Sequence, residues 1–354
     1  MSLIKGKIRL RNFWISSFAV FLFIGLLALW IFVLGLKADE PGRFYNSEKN
    51  AIWIAHEWAE ESKTDREISD LVRNLTEHDI NTIYLHVGPI ESDGEIGTER
   101  YAASLNFVER VKRQRADMKV LAWMGQVRHK LDLSNENVRR NILGLCRIFT
   151  KMIGMDGIHY DIEPVWDEDE DFILLLKETR DILDTGTGVS YGSEAGSGSG
   201  EGGRKILSVA LAEFIPSSFV WWVGNIAQFE NYNTEVNYLN VAEYADQIVD
   251  MVYDTGIDRG WLYKWLVKEQ VIWVSDLMED DVAEGTEFLI GIPSYEDDKI
   301  GFNPEVENVG NALVGVITGL NDIRASEEAF TGVAIYSEWE MDEGDWEVYE
   351  GLWQ

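Results

Sequence analysis

The chain has 354 residues, of which 46% are hydrophobic and 12% aromatic, so it can bury a large core in one or two domains and is not expected to be disordered. Its formal net charge of -31 disfavours nucleic-acid binding, because contacts to a phosphate backbone need clustered lysine and arginine. The single cysteine, Cys146, excludes an intrachain disulfide and a cysteine-based metal site.

The first predicted element is a membrane-spanning helix. Residues 13 to 36 form an apolar run without a charged residue, which as a helix would cross a hydrocarbon core about 30 Å thick. Basic residues precede the run, and Asp39 and Glu40 soon follow it, so the positive-inside tendency places the N-terminus in the cytoplasm and the remainder outside. We predict a cytoplasmic basic N-terminus and an uncleaved anchor over residues 1 to 40. Cleavage as a signal peptide is the alternative.

After residue 50, eight short apolar segments alternate with amphipathic stretches. The segments are residues 51–56, 81–87, 118–124, 157–163, 205–212, 247–253, 287–293 and 332–337. Strands separated by helices pair in parallel through crossovers, and eight such units are typical of a (β/α)8 TIM barrel, here over residues 41 to 354. In the stretch between the first two segments, Thr64 is a predicted helix cap, and Ile68, Leu71, Val72 and Leu75 share one face.

The alternative to a barrel is a doubly wound open sheet. The barrel is favoured because polar and aromatic residues gather at the C-terminal ends of many strands, whereas an open sheet would concentrate them near one switch point. These residues are His56, Glu57, Trp58, His86, Gln126, Glu163, Glu213, Tyr253, Asp254, Tyr295, Glu338 and Trp339.

Two further segments need an interpretation. Residues 185 to 203 are rich in glycine and serine but lack a Gly-Lys-Ser/Thr ending, so they predict a flexible insertion on the N-terminal side of the barrel rather than a phosphate site. The acidic run 167 to 171 could bind a cation, but it lies where a helix begins, and the helix dipole stabilises carboxylates there. We interpret it as a solvated helix start.

The fourth segment carries the candidate chemistry. His159, Asp161 and Glu163 alternate along it, so in a strand they share one face, and in a barrel that face is the interior, with Glu163 at the C-terminal rim. Buried ionisable groups need partners to offset their desolvation, so the cluster is either a hydrogen-bonded plug or a functional site. His56 and Glu57 lack a His-Glu-x-x-His spacing, and we expect no metal and no cofactor.

These residues resemble the signature of glycoside hydrolase family 18, the chitinase-like barrels. The family motif Asp-x-x-Asp-x-Asp-x-Glu is matched at Asp156, Asp161 and Glu163, and His159 stands at the remaining acidic position. A second family feature, Met-x-Tyr-Asp after the sixth strand, is matched by Met251, Tyr253 and Asp254.

The last two strands extend the resemblance. The stretch from Gly291 to Tyr295 is similar to the family's seventh strand, and Tyr336, with Trp339 nearby, occupies the place of the tryptophan that floors the family's sugar site.

The resemblance implies a role for each matched residue. Glu163 would be the general acid and later the base, Asp161 would stabilise the substrate's 2-acetamido group as it attacks the anomeric carbon, and Tyr253 would hydrogen-bond the acetamido carbonyl. Such substrate-assisted hydrolysis needs no enzymic nucleophile. A histidine at position 159 could donate to Asp161 and hold it ionised, with a changed pH profile. The predicted substrate-binding set is His159, Asp254, Met251, Glu213, Tyr295, Tyr336 and Trp339.

The predicted function is therefore that of a membrane-anchored, extracytoplasmic glycosidase. Its partners would be the membrane and a poly- or oligosaccharide that contains N-acetylhexosamine. Two alternatives remain at this point: a lectin-like barrel that binds carbohydrate without cleaving it, and a scaffold domain of a cell-envelope complex.

Overall fold

Eight parallel strands close into a barrel in chain order, with the first strand paired to both the second and the eighth. The computed structural model describes residues 22–23, 25–26, 45–185, 204–222, 232–279, 283, 285–296 and 303–354. The predicted (β/α)8 barrel is confirmed, and the open sheet is not observed. The strands are β1 Asn50–Ile54, β2 Ile80–His86, β3 Lys119–Val127, β4 Gly157–Glu163, β5 Ile206–Ala212, β6 Gln247–Met251, β7 Glu287–Pro293 and β8 Phe330–Tyr336.

Helices follow the strands and cover the outside of the barrel. They are α1 Glu57–Glu60, α2 Asp65–Glu77, α3 Glu99–Gln114, α4 Glu136–Arg147, α5 Glu170–Asp184, α6 Ser217–Trp222, α7 Glu235–Ala242, α8 Gly260–Met278, α9 Val309–Leu320 and α10 Glu343–Trp353. A π-helical turn, Ile148–Ile153, continues α4.

Helix α2 shows how the sequence determines one of these elements. The Thr64 side chain accepts a hydrogen bond from the Glu67 backbone N–H, and the Glu67 side chain accepts one from the Thr64 backbone, which forms a complete capping box. The predicted apolar face is buried, and it consists of Ile68, Leu71, Val72 and Leu75. The predicted cap and buried face are both confirmed.

Two apolar layers lie on the two sides of the sheet. The larger fills the space between strands and helices and includes Ile158, Tyr160 and Ile162 from β4. The smaller lies inside the barrel and is rich in aromatic residues, among them Trp53 and Trp123. Strand alternation therefore sends residues 158, 160 and 162 outward, and residues 159, 161 and 163 into the interior.

The acidic run 167 to 171 does lie at a helix start, as predicted, but it is not simply solvated. Asp169 caps α5 by accepting from the Phe172 backbone N–H, and both of its oxygens accept from the Arg128 guanidinium at 2.6 and 2.9 Å. Asp167 accepts from the backbone and hydroxyl of Thr234. The run therefore joins the loops that follow β3, β4 and β5.

Two predicted features fall largely outside the described residues. Of the predicted anchor, the structure describes only residues 22, 23, 25 and 26, and within the described chain no helix is long and apolar enough to span a bilayer. Of the predicted glycine-rich insertion, residues 186 to 203 are outside the description.

Candidate active site

The site is built on β4, and its three alternating polar residues differ in depth. His159 is completely buried, whereas Asp161 and Glu163 become partly exposed toward the C-terminal rim. Each residue in a strand rises about 3.3 Å, so the three side chains are stacked along the barrel axis. The predicted orientation of β4 is confirmed, with Glu163 at the mouth of the barrel.

His159 hydrogen-bonds inside the barrel and does not hydrogen-bond Asp161. Trp53 Nε1 lies 3.1 Å from His159 Nε2, and because an indole nitrogen can only donate, Nε2 must be an unprotonated acceptor. The ring proton is therefore on Nδ1, which donates to Ser208 Oγ at 2.8 Å. Ser208 in turn donates to Gln247 Oε1 at 2.8 Å.

Burial lowers the pKa of His159 to about 3, so the ring is neutral at any pH near 7. The expectation that His159 donates to Asp161 was wrong, because both ring nitrogens already have other partners. The ring is also enclosed beneath Asp161, so it presents no surface to a substrate in this structure, although it was predicted to bind one.

Asp161 receives its hydrogen bond from the neighbouring strand. Trp123 Nε1 donates to Asp161 Oδ2 at 2.8 Å, and Oδ1 is buried without a hydrogen-bond partner among the described residues. Burial raises the pKa of Asp161, and the Trp123 hydrogen bond partly opposes that rise. One carboxylate oxygen is thus fixed, and the other accepts no hydrogen bond from the described residues.

Glu163 has the properties of a proton donor. Burial raises the pKa of its carboxyl group, and the charges of Asp161 and then Asp254 raise it further. The carboxyl group therefore holds its proton at higher pH than an ordinary glutamate does. Its partner, Asp161, ionises more readily, because a donor stabilises the charged form. The two carboxyl groups of one strand are thus suited to different tasks.

Aromatic residues that follow β6 and β7, together with the last residue of β8, lie around the mouth of the barrel. The Tyr253 and Tyr336 rings stack with centroids 5.1 Å apart, and Tyr295 donates to Asp254 Oδ1 at 2.8 Å. Asp254 has a φ of 58°, a left-handed conformation that aspartate tolerates better than most residues. Trp339 is 44% exposed and packs edge-on against Tyr336. The structure therefore brings five predicted residues to the mouth beside Glu163.

Two other predicted substrate-binding residues are buried. Met251 belongs to the interior apolar layer, and Glu213 follows β5; each is only 5% exposed. Burial raises the pKa of Glu213, with further contributions from Asp250, Glu307 and Glu163. Their predicted substrate contacts do not correspond to any open surface in this structure.

Trp53, Trp123, Ser208 and Gln247 were not predicted as part of the site. Each points into the barrel, because an even number of positions separates it from another inward-facing residue of the same strand. A polar residue in that register, such as Ser208 or Gln247, is a usable sequence signal because it must find a partner inside the barrel. The two tryptophans gave no such signal, since tryptophan is common in apolar cores.

Neither the protein-family models nor the curated sequences compared with this chain match it. Solved structures do match. A class V chitinase from Pseudomonas fluorescens Pf-5 aligns with 86% of this chain and 99% of its own at a TM-score of 0.54 and 10% identity. The Group IV chitinase of Ostrinia furnacalis, in complex with allosamidin, aligns with 86% of this chain and 97% of its own at a TM-score of 0.54 and 14% identity.

The chain has the fold of the glycoside hydrolase family 18 barrels. Human YKL-39, a pseudo-chitinase with retained chitooligosaccharide binding, shares that fold as well, with a TM-score of 0.52, 12% identity and coverage of 82% of this chain and 92% of its own. The resemblance predicted from β4 and from the residues around β6 is thus confirmed at the level of fold. Because both active and inactive chitinase-like proteins have this fold, the choice between them depends on the residues of the site.

Proposed function

We propose that this protein is a divergent family 18 glycoside hydrolase that cleaves glycans containing N-acetylhexosamine. The observation that carries the proposal is the pairing of Glu163, whose pKa is raised, with Asp161, whose Oδ2 is held by Trp123 and whose Oδ1 accepts no hydrogen bond from the described residues. The structural neighbours bound to allosamidin or retaining chitooligosaccharide binding support the class of ligand.

In the first chemical step, Glu163 acts as the general acid. The substrate's acetamido oxygen attacks the anomeric carbon while Glu163 transfers its proton to the departing glycosidic oxygen. The bond from the anomeric carbon to that oxygen breaks, and a cyclic oxazolinium ion forms. Asp161 would stabilise the positive charge, and the Tyr253 hydroxyl would hold the acetamido carbonyl in line. Burial raises the pKa of Tyr253 well above its usual value, so its hydroxyl remains a donor.

In the second step, Glu163 acts as the base. The now ionised carboxylate takes a proton from water as that water attacks the anomeric carbon and opens the oxazolinium ring. Two displacements at the same carbon give a product with retained configuration. Asp161 and Glu163 lie on the same face of one strand, so they cannot readily flank the sugar from opposite sides, and this geometry favours the substrate as nucleophile over an enzymic carboxylate.

The test is Glu163→Gln assayed with N-acetylglucosamine oligomers. The amide keeps the shape of the side chain but cannot transfer the proton, so turnover should fall about a hundredfold to ten-thousandfold while oligomer binding persists. Glu170→Gln, an identical change at an exposed position on α5, is the matched control and should leave turnover unchanged. Equal turnover in Glu163→Gln and the parent would remove Glu163 from the mechanism.

The second candidate is a carbohydrate-binding barrel without hydrolytic activity. It is favoured by His159, which replaces the acidic residue of the family motif, and by the example of YKL-39. If the parent chain binds the oligomers but shows no turnover, and Glu163→Gln binds them equally well, the lectin-like function is the correct one.

We also propose that residues 1 to 40 anchor the protein in the membrane and that the barrel, residues 41 to 354, lies outside the cytoplasm. The support is the uncharged apolar run of residues 13 to 36 with basic residues before it. Full-length protein should then remain in membranes through an alkaline carbonate wash, and external protease should digest the barrel on intact protoplasts. Recovery of a soluble barrel with a new N-terminus after residue 37 would contradict the anchor.

A further inference from the structure

We propose that Trp123 is the positioning residue of Asp161, a task that family resemblance would give to the side chain at position 159. The inference rests on the proposed function for its meaning in catalysis. Its structural basis is the hydrogen bond from Trp123 Nε1 to Asp161 Oδ2, at 2.8 Å. β3 and β4 are paired in register in this region, with Gly125 opposite Asp161, so the indole reaches Asp161 from the neighbouring strand.

His159 cannot supply this hydrogen bond. Its Nε2 accepts from Trp53 and its Nδ1 donates to Ser208, so no ring N–H remains for Asp161. Trp123 is accordingly the one side-chain donor to Asp161 within the part of the chain that the structure describes. The side chain that fixes the orientation of the Asp161 carboxylate by hydrogen bonding therefore belongs to β3.

The indole of Trp123 is itself held in place. It is 6% exposed, and the His86 ring packs against it with centroids 4.2 Å apart. Gly125 leaves room for the hydrogen bond, because a Cβ at that position would lie 3.3 Å from Trp123 Nε1 and 3.7 Å from Asp161 Oδ2. A side chain there would compete with the indole for the space beside Asp161.

This arrangement fixes Asp161 with a donor that does not titrate. The hydrogen bond engages Oδ2 and stabilises the ionised form of the carboxyl group, while Oδ1 accepts no hydrogen bond from the described residues. Other titratable groups near Asp161 are Glu163 on the same strand, Tyr253 after β6 and Tyr336 on β8. His86, against the indole, has its pKa lowered to about 4 by burial and by the charge of Arg100.

The first test compares Trp123→Phe with Trp353→Phe, two identical changes that each remove a buried indole donor; Trp353 donates to Asn50 Oδ1 at the N-terminal end of β1, outside the site. Only Trp123→Phe removes the donor to Asp161, so the pKa of Asp161 should rise. The acidic limb of kcat/KM should move to higher pH by about one to two units, and kcat should fall at least about tenfold with KM little changed. Trp353→Phe should leave the acidic limb in place. A limb that moves equally in both variants, or in neither, would overturn the proposal.

The second test needs no turnover, so it separates this inference from the proposed function. In 15N-labelled full-length protein, the indole Nε1–H resonance of Trp123, assigned by its loss in Trp123→Phe, should shift as pH rises through the ionisation of Asp161. The shift should vanish in Asp161→Asn and weaken in Gly125→Ala, where the indole is displaced. An indole resonance whose pH dependence is unaffected by Asp161→Asn would refute the positioning role even if the protein proves to be an active hydrolase. If the parent shows no hydrolysis but the resonance follows Asp161, the inference stands and the proposed function fails.

Discussion

Asp250 should make the folded protein less stable as the pH rises. This residue of β6 is completely buried, and no described residue makes a well-formed hydrogen bond to either carboxylate oxygen, because the nearby Tyr238 hydroxyl donates to the Ala212 carbonyl at 3.1 Å. Burial raises the pKa of its carboxyl group well above the usual value, and the Tyr238 hydroxyl opposes that rise only in part, so the folded chain holds a proton that the unfolded chain has released. A group with a raised folded-state pKa makes folding less favourable at every pH above its unfolded-state pKa.

The size of the effect follows from proton linkage. Each pH unit over which the folded state retains this proton and the unfolded state does not costs about 1.4 kcal/mol of stability. Between pH 5 and pH 8 Asp250 alone can therefore account for at most about 4 kcal/mol. Asp250→Asn keeps the shape and has no proton to bind, so the variant should lose correspondingly less stability over that interval.

The assay is urea unfolding followed by tryptophan fluorescence at several pH values. The difference in unfolding free energy between Asp250→Asn and the parent should grow in favour of the variant from pH 5 to pH 8. Asp117→Asn, at a side chain that is 76% exposed, is the control and should give a curve parallel to the parent. If Asp250→Asn also runs parallel to the parent, Asp250 is not a buried protonated acid, and the reasoning from its missing partners is refuted.

Three further outcomes are expected at the candidate active site. Asp161→Asn removes the charge that helps to raise the pKa of Glu163, so the basic limb of the residual kcat/KM profile should move to lower pH. Assays on N-acetylglucosamine oligomers over a series of pH values measure this shift. Gly291→Ala would place a Cβ 3.0 Å from Tyr253 Cε1 and displace that ring, so kcat should fall about tenfold or more. The control is Gly351→Ala, which should leave kcat unchanged because a Cβ there meets no heavy atom within 4 Å. A thiazoline mimic of the oxazolinium ion should inhibit competitively, and a fully deacetylated substrate should be cleaved poorly. Efficient cleavage of that substrate would contradict the substrate-assisted mechanism.

The barrel was predictable because each of its strands has a local signal. Apolar segments of strand length alternate with helical patterns, and Thr64 with Glu67 marks a helix start directly. Strand ends were less certain: β3 runs to Val127 and β6 stops at Met251, where the sequence indicated residues 124 and 253. Apolar patterning locates a strand but does not say where its backbone pairing ends, since pairing depends on the neighbouring strand.

Within the site, the sequence predicted which way side chains point better than it predicted their hydrogen-bond partners. The period of two placed residues 159, 161 and 163 on one face without any structural information. It could not show that His159 is already engaged, because its partners Trp53 and Ser208 come from β1 and β5, far away in the chain. Likewise, Glu213 follows the end of β5 as a substrate-binding residue would, yet its side chain is almost completely enclosed. Contacts between distant strands are a property of the closed barrel and leave no local pattern.

The neutral histidine also explains how β4 can carry two carboxyl groups of different acidity. A carboxyl group at position 159 would lie on the same face as Asp161, and like charges that close together oppose ionisation. The His159 imidazole, which hydrogen-bonds Trp53 and Ser208, is neutral and contributes no charge. The ionisation of Asp161 is therefore opposed mainly by burial and favoured by the Trp123 hydrogen bond. The charge of Asp161 then raises the pKa of Glu163 and keeps the proton where an acid is needed. The hydrogen bond from Trp123 on β3 is thus sufficient to keep Asp161 more acidic than Glu163. An acidic residue at position 159 is not required for this difference in pKa.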